Sequence, residues 1–239
     1  MYRFPSAMNI SIYEMTKSML IPSIKRLHET FNELSEKFKK IVKIGRTHMQ
    51  DATPITLGQE FSAFAAQIEN NLDRILYSVE ELKKIPIGGT AVGTGLNSFK
   101  GFDVKVCMAL NEQTGSQYKP LENKFEGLAS HDSIVFFSGA LCTLSGSLMK
   151  IANDIRLLSS GPRCGLGELR LPENEPGSSI MPGKINPTQC EATTMICAQV
   201  QGNHFAAVIG ASNGHLQVIF GILVKHLQAS YCEQCNKIH

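Results

Sequence analysis

Apolar residues recur at steps of three or four along the first part of the chain, with one step of eight across Pro22 and Ser23. This spacing places them on one face of an α-helix and predicts an amphipathic helix. Pro22 lies inside the pattern and lacks a backbone donor, so we expect a kink there. The stripe consists of Ile12, Met15, Met19, Leu27, Phe31, Leu34 and Phe38.

A second apolar stripe is more regular and covers positions 57–82. All its steps are three or four, and a helix of that length is a rod of about 39 Å. Such a rod exceeds the usual globular helix and indicates coiled-coil-like packing in an extended bundle. Its members are Leu57, Phe61, Phe64, Ile68, Leu72, Ile75, Val79 and Leu82.

Two later stretches, residues 126–160 and 187–210, also have a helical pattern but are rich in Ala, Ser and Gly. Small side chains let helix axes approach closely, so we expect these helices at the buried centre of a multi-helix assembly. Pro187 fits the first turn of the last helix. No alternating run predicts a strand. The predicted fold class is all-α, with long, nearly parallel helices joined by loops rich in glycine and proline.

Residues 85–100 form a glycine-rich segment that cannot continue a helix and is predicted to be a loop. No strand precedes it and no Gly-Lys-Ser/Thr follows, so it matches neither a dinucleotide-binding motif nor a P-loop. Its glycines allow either a flexible connector or a backbone that approaches a ligand closely. Composition favours the connector and leaves the second interpretation open.

The overall composition is that of a soluble globular protein, with 43% hydrophobic residues, 18% charged residues and a net charge of +2. No basic stripe is present, so neither nucleic-acid binding nor membrane-surface binding is expected. No targeting or transmembrane segment is visible. The seven cysteines are odd in number and scattered, which indicates reduced thiols. Cys232 and Cys235 form a lone CxxC, a weak metal motif even with His239 as a further ligand.

Residues 171–186 are the least helical part of the chain and contain several polar groups suited to an anion. Ser178 and Ser179 offer hydroxyls beside glycine, and Lys184 and Asn186 precede a helix N-terminus with its partial positive charge. Together these groups predict a carboxylate-binding site. A plain Ser/Gly/Pro connector with a surface lysine is the open alternative.

A second polar patch lies between the first two predicted helices. His48 is accompanied there by Arg46, Thr47, Gln50 and Asp51, whereas a plain connector would need only a turn. A lone histidine in a loop is usually structural. The polar residues around His48 favour a functional role instead. No GxSxG, HExxH or paired CxxC motif occurs, so acyl transfer and zinc-dependent hydrolysis have no support.

Residues 177–187, which read GSSIMPGKINP, resemble the signature of the fumarase/aspartase superfamily. The continuation TQCEA, with glycine at position 183, is more similar to class II fumarases than to aspartases. Residues 45–54, GRTHMQDATP, are a second match, and His48 stands where aspartases usually carry glutamine. The resemblance extends from residue 4 to about residue 215 and includes the segments 88–97, 152–156, 161–165 and 171–176.

The resemblance implies a lyase of the tricarboxylic acid cycle that hydrates fumarate reversibly to (S)-malate through a carbanion, with no metal or organic cofactor. The substrate is then a small dicarboxylate. The family resemblance also implies a homotetramer in which helices of four subunits form one central bundle and each active site is shared between subunits. The implied compartment is the mitochondrial matrix or the cytoplasm.

The matching positions imply a role for each candidate site residue. Ser178 corresponds to the base that removes the C3 proton of malate, and His48 to the histidine that activates water or protonates the leaving hydroxyl. Glu191 is the expected charge partner of His48. The substrate carboxylates are expected to contact Thr47, Ser179, Lys184 and Asn186. Two alternatives stay open: an aspartase-like ammonia lyase, and a non-catalytic subunit that assembles with full-length chains.

The chain also departs from the family pattern at both ends. The family has an N-terminal region with a Ser-Ser-Asn-Asp run that contacts substrate, and only three residues precede Phe4 here. The match fades after His215, and the family's small C-terminal domain has no counterpart. We therefore expect a central helical bundle domain over residues 1–215, a divergent tail over 216–239 and a chain truncated at both ends.

Overall fold

The computed structural model describes residues 3–175 and 177–217. The first apolar stripe forms helix α1 (Arg3–Met15), a π-helical turn (Thr16–Leu20) and helix α2 (Ile21–Phe38). Pro22 directly follows the π-helical turn in a helix that stays continuous, since Leu20 and Ile21 both have helical φ and ψ. A proline cannot donate to the carbonyl four residues before it, and that residue, Ser18, lies in the π-helical turn. The departure from α-helical geometry therefore lies immediately before Pro22, in the region where the sequence predicts a kink.

Helix α3 (Leu57–Glu80) confirms the second stripe, and a 3-10 turn (Glu81–Lys83) follows it. A capping box fixes its start: the Gln59 backbone N–H donates to Thr56 Oγ1 (3.1 Å), and the Thr56 N–H donates to Gln59 Oε1 (2.9 Å). α3 packs along α2. Their contact contains aromatic rings with centroids 5.5–6.1 Å apart, from Phe31, Phe38, Phe61 and Phe64.

A β-hairpin connects α2 to α3, which corrects the prediction that the chain contains no strand. Strand β1 (Val42–Thr47) pairs antiparallel with β2 (Gln50–Thr56), and the short strands β3 (Lys84–Ile85) and β4 (Lys119–Pro120) pair in parallel. The residues of the hairpin are exposed or half-buried throughout. Because neither face packs fully into the core, no alternating apolar pattern marks these strands in the sequence.

Four further helices lie in the described part of the chain: α4 (Phe102–Thr114), α5 (Lys124–Ala129), α6 (Asp132–Leu158) and α7 (Thr188–Ser212). α6 packs along α7 and against α3, and small residues are buried in these helices as the sequence predicts: Ser138, Ser145, Ala152 and Ala207. The helix predicted over 126–160 is two helices, interrupted after Ala129. Pro187 immediately precedes α7 instead of opening it. The all-α prediction is confirmed in its main feature.

The glycine-rich segment is a loop, as predicted, and its glycines mark close packing against neighbouring elements. A Cβ on Gly93 would lie 2.7 Å from the Phe125 ring, and one on Gly88 would lie 2.9 Å from the Asp103 Cβ. Both glycines also have positive φ, +115° and +85°. Side chains at these positions would push the loop away from α4 and α5, so the glycines fit the loop to the protein itself.

By length and composition alone, α6 could cross a lipid bilayer, since an 18-residue window in it has a mean hydropathy of 1.6. Core helices of soluble proteins meet the same criterion, and α6 packs against two neighbours in the bundle. Only 39% of that window is buried in the single chain. The exposed large apolar side chains of α6 are Phe136 and Leu157.

Candidate active site

Thr47 and His48 lie at the tip of the β1–β2 hairpin. Thr47 pairs with Gln50, and the two residues between them, His48 and Met49, have φ of 52° and 65°. Two successive positive φ values are typical of a type I′ turn, where Asn and Gly are favoured. A histidine and a methionine held there carry local strain, which is commonly found at functional positions. Both candidate side chains, Thr47 and His48, are exposed to solvent.

An ion-pair cluster holds the base of the same hairpin. Lys43 Nζ lies 2.7 Å from Glu60 Oε2 on α3 and 2.7 Å from Glu168 Oε2, and Arg46 pairs with Glu168 as well. The pairing register shifts between Ile44 and Arg46, because β2 has one extra residue opposite Gly45. Lys43 and Arg46, three positions apart on β1, both reach the carboxylate of Glu168.

Glu168 is ionised and fixed in place. Burial opposes its ionisation, but hydrogen bonds from Arg46 and Lys43 outweigh that effect and lower the pKa of Glu168 below its ordinary value. The same contact raises the pKa of Arg46. The Glu168 backbone N–H donates to the carbonyl of Leu158 at the end of α6 (2.8 Å). The cluster therefore attaches the hairpin, and with it His48, to both α3 and the end of α6.

Sequence reasoning missed Lys43, Glu60 and Glu168, although Arg46 was part of the predicted polar patch. The partners lie on β1, on α3 and in the segment after α6, and Arg46 is 122 positions from Glu168. No local pattern signals a pairing over such a separation. A cavity of about 320 Å³ opens beside the cluster and is lined in part by Lys43, Arg46 and Met49.

The loop of residues 177–186 closes on itself. The Asn186 side-chain amide donates to the Gly177 carbonyl (2.6 Å), and a Cβ on Gly177 would lie 1.6 Å from the Lys184 carbonyl oxygen. Only glycine fits this approach. The Ile180 N–H donates to Ser178 Oγ (3.3 Å). Within the loop, the Asn186 amide thus has a closing role that the sequence did not predict.

The four candidate residues of this loop are brought together on one short segment at the start of α7. Ser178 and Asn186 are half-buried, whereas Ser179 and Lys184 are exposed. The first backbone N–H groups of α7 follow directly and supply a partial positive charge. Hydroxyls, an ammonium group and a helix N-terminus in one place can bind a carboxylate and stabilise negative charge that develops on it.

The two groups of candidate residues are not joined within one chain. Across residues 3–175 and 177–217, no hydrogen bond or ion pair connects Thr47 or His48 with the loop 177–186. Glu191 lies exposed in the first turn of α7 and forms no ion pair with His48 in this part of the chain. The predicted pairing of His48 with Glu191 therefore stays a prediction for a site formed between chains.

No group of three or more His, Cys, Asp or Glu side chains suited to a metal ion occurs among the described residues. The five described cysteines are free thiols: Cys107, Cys142, Cys164, Cys190 and Cys197. Cys232, Cys235 and His239, and with them most of the predicted tail, lie outside the described residues.

A family model described as a lyase matches residues 3–202 of this bundle and its loops. The chain therefore belongs to this lyase family. It is 60% identical over 215 residues to fumarate hydratase 2 of Arabidopsis thaliana, a match that covers 90% of this chain and 43% of that protein. It is 57% identical over 215 residues to fumarate hydratase class II of Rickettsia conorii, covering 90% and 46%.

Solved structures of a fumarase and a fumarate lyase are also similar to this chain. The class II fumarase of Schistosoma mansoni superposes with a TM-score of 0.94 at 43% identity and covers 98% of this chain and 52% of that chain. A fumarate lyase:delta crystallin from Brucella melitensis gives a TM-score of 0.91 at 37% identity, with 98% and 51% covered. The resemblance to the fumarase/aspartase superfamily is confirmed. The chain spans about half the length of the relatives that it matches.

Proposed function

We propose that this chain carries the catalytic core of a fumarate hydratase, which adds water reversibly across the double bond of fumarate to give (S)-malate. The observation that carries the proposal is the closed loop 177–186, which holds Ser178, Ser179 and Lys184 at the N-terminus of α7. The relatives at 57–60% identity are named fumarate hydratases, which supports the same reaction here.

In the dehydration direction, Ser178 is the proposed base for the C3 proton of malate. A serine hydroxyl is a weak base, so its alkoxide requires stabilisation by loop amides and by the positive end of α7. Loss of the proton builds a second negative charge on the adjacent carboxylate. Preorganised donors at Ser179 and Lys184 would stabilise that charge. The side chains provide acid–base and electrostatic catalysis, so the proposed mechanism uses no cofactor.

His48 is the proposed group that protonates the leaving hydroxyl of malate or activates water in the reverse reaction. An imidazole suits both tasks because its ordinary pKa lies near neutrality. Its exposed position on a strained hairpin tip supports a site completed by another chain. Glu191 of another copy would then be its charge partner, and Thr47 would contact a substrate carboxylate.

We infer that the protein is a homotetramer whose active sites are shared between subunits. Large apolar side chains stand exposed on the long central helices, and association of several copies would bury them. They include Phe136 (49% exposed), Met195 (67%) and Phe205 (68%). The compartment is proposed to be the mitochondrial matrix or the cytoplasm, and the relative from Schizosaccharomyces pombe is named a mitochondrial enzyme.

A substrate comparison tests the proposed reaction. The full-length protein is offered malate and then aspartate, and formation of fumarate is followed by its ultraviolet absorbance. We expect fumarate from malate and none from aspartate. If fumarate formed from aspartate alone, the protein would be an ammonia lyase and not a hydratase. If fumarate formed from neither substrate at high protein concentration, the proposal would be contradicted.

A further inference from the structure

The β1–β2 hairpin lies outside the hydrophobic core although it carries His48 at its tip. Across residues 3–175 and 177–217, no apolar side chain of residues 42–56 belongs to the core or packs against it. The two strands are exposed or half-buried along their whole length. Because apolar packing does not hold the hairpin, the position of its tip depends on polar contacts.

The polar contacts that attach this hairpin converge on Glu168. Within residues 42–55, the side chains that bind elements outside the hairpin in the described part of the chain are those of Lys43 and Arg46. Both cations bind the Glu168 carboxylate, and Lys43 also binds a carboxylate on α3. Arg46 lies only two positions before His48. Glu168 therefore makes the external contact that is nearest to the candidate acid–base group.

Glu168 itself lies on backbone that is attached to the end of α6. Its N–H donates to the Leu158 carbonyl (2.8 Å), and the Gly167 N–H donates to the Ser160 carbonyl (2.8 Å). The Leu166 N–H donates to Ser160 Oγ (3.0 Å). The Glu168 side chain is also only 20% exposed, so water competes little for its two cations. The carboxylate is thus a fixed anchor for the hairpin.

The position of the tip matters because proton transfer is sensitive to distance. A general acid or base must lie within hydrogen-bond reach of the reacting group, about 2.6–3.2 Å, and an error of about 1 Å can cost about 10²-fold in rate. The turn at the tip is strained, with φ of 52° at His48 and 65° at Met49. A hairpin released from its anchor could relax this turn and move the imidazole away from the substrate.

We propose that Glu168 is a positioning residue for His48. Its carboxylate holds Arg46 and Lys43 together, and through them it fixes the hairpin where the imidazole meets the substrate in a site completed by another chain. The inference rests on the proposed function, in which His48 protonates the leaving hydroxyl or activates water. In this role Glu168 contacts neither the substrate nor a reacting atom, and its effect on the reaction passes through His48.

A double-mutant cycle on turnover tests whether Glu168 acts through His48. The full-length wild type, Glu168→Gln, His48→Asn and the double variant are compared in kcat for malate. Glutamine keeps the size of the side chain and removes its charge. We expect Glu168→Gln to lower kcat about 10–100-fold in the wild type, with a smaller change in KM, and less than about three-fold in the His48→Asn background. An equal loss in both backgrounds, or no loss in the wild type, would overturn the proposal.

Two controls separate positioning from a general loss of structure. Glu36→Gln, whose pair with Lys39 is largely exposed, should leave kcat unchanged. Thermal melting shows whether Glu168→Gln is folded at the assay temperature. If it is not, Arg46→Gln replaces it in the cycle, because that change breaks one ion pair and leaves Lys43 paired with both carboxylates. The same dependence on His48 is expected, and equal losses in the two backgrounds would again overturn the proposal.

Methyl NMR of the full-length protein measures the order of the hairpin independently of turnover. In Glu168→Gln, the methyl order parameters of Ile44 and Ile55 should fall by about 0.2, whereas that of Ile68 in the core of α3 should not change. Glu36→Gln should resemble the wild type at all three positions. Unchanged order parameters at Ile44 and Ile55 would refute the anchor.

The outcomes also separate this inference from the proposed reaction. A wild type that hydrates fumarate, with kcat unaffected by Glu168→Gln, would refute the positioning role and leave the reaction standing. Loss of order in the hairpin of Glu168→Gln, in a protein whose wild type forms no fumarate from malate, would support the positioning of His48 by Glu168 and refute the reaction.

Discussion

At the scale of single residues, backbone geometry explains why particular side chains occupy the candidate site. Gly177 has no room for a Cβ because the Lys184 carbonyl would lie 1.6 Å from it. Sequence patterns identified the loop and its hydroxyls, but they could not show that the loop closes through Asn186. The sequence also identified His48 as a candidate residue, but only the structure shows that its backbone is left-handed.

His48→Asn is expected to separate catalysis from folding. Asparagine is favoured in the left-handed conformation that His48 adopts, with φ of 52°, so the unfolding free energy should stay the same or rise by a few tenths of a kcal/mol. Loss of the imidazole should reduce kcat for malate by about 10²–10⁴-fold. His28→Asn, on α2 and remote from the hairpin tip, is the control. Full activity of His48→Asn would show that His48 has no role in the mechanism.

At the scale of secondary-structure elements, success of the sequence analysis depended on burial. The stripe over 57–82 predicted α3 closely because one face of that helix is buried along its whole length. The β1–β2 hairpin escaped prediction because it is exposed or half-buried throughout. Its ion-pair cluster also escaped prediction, since the carboxylates lie outside the hairpin, 17 positions from Lys43 for Glu60 and 122 positions from Arg46 for Glu168.

Glu168→Gln is expected to loosen the hairpin. The change removes both ion pairs of Glu168 and leaves the nearly buried Lys43 (8% exposed) with Glu60 alone. We expect a loss of about 1–3 kcal/mol in unfolding free energy, measured by urea denaturation. Glu36→Gln is the matched control, because its pair with Lys39 is largely exposed, and it should cost less than about 0.5 kcal/mol. Equal effects of the two substitutions would contradict the anchoring role.

The same carboxylate predicts a pH dependence of stability. The pKa of Glu168 is lower in the folded chain than its ordinary value, so the folded state binds this proton less readily than the unfolded state. The contribution is therefore present above the unfolded pKa of about 4.3 and is lost as pH falls through the folded pKa. Urea denaturation from about pH 6 downward should show a smaller loss in Glu168→Gln than in the wild type. If the unfolding free energies of the wild type and Glu168→Gln fell in parallel as the pH decreased, Glu168 would not be the source of this pH dependence.

At the scale of the whole molecule, the single chain leaves the candidate site in two parts. No hydrogen bond or ion pair joins the hairpin tip with His48 to the loop with Ser178 across the described ranges, and the central helices keep exposed apolar side chains. Association of several copies would bury those side chains and could bring the two parts of different chains together. Sequence patterns indicated long helices and extended packing, but no single chain's pattern specifies which surfaces meet.

Phe205→Asp is expected to disrupt the assembly. Phe205 is 68% exposed on α7, and a buried unpaired carboxylate at a subunit interface is costly. Light scattering coupled to size-exclusion chromatography should show a tetramer for the full-length wild type and smaller species for the variant. Lys40→Asp, which changes an exposed polar residue just after α2, should remain assembled. A wild-type monomer at all concentrations would contradict shared active sites.

The most direct test of the central claim is the turnover of malate by Ser178→Ala in the full-length protein. Ser62→Ala, which removes an exposed hydroxyl on α3, serves as the control. If the loop 177–186 carries the hydratase chemistry, kcat should fall by about 10²–10⁴-fold in Ser178→Ala with an unchanged melting temperature, and Ser62→Ala should retain full activity. An unchanged kcat in Ser178→Ala would contradict the account.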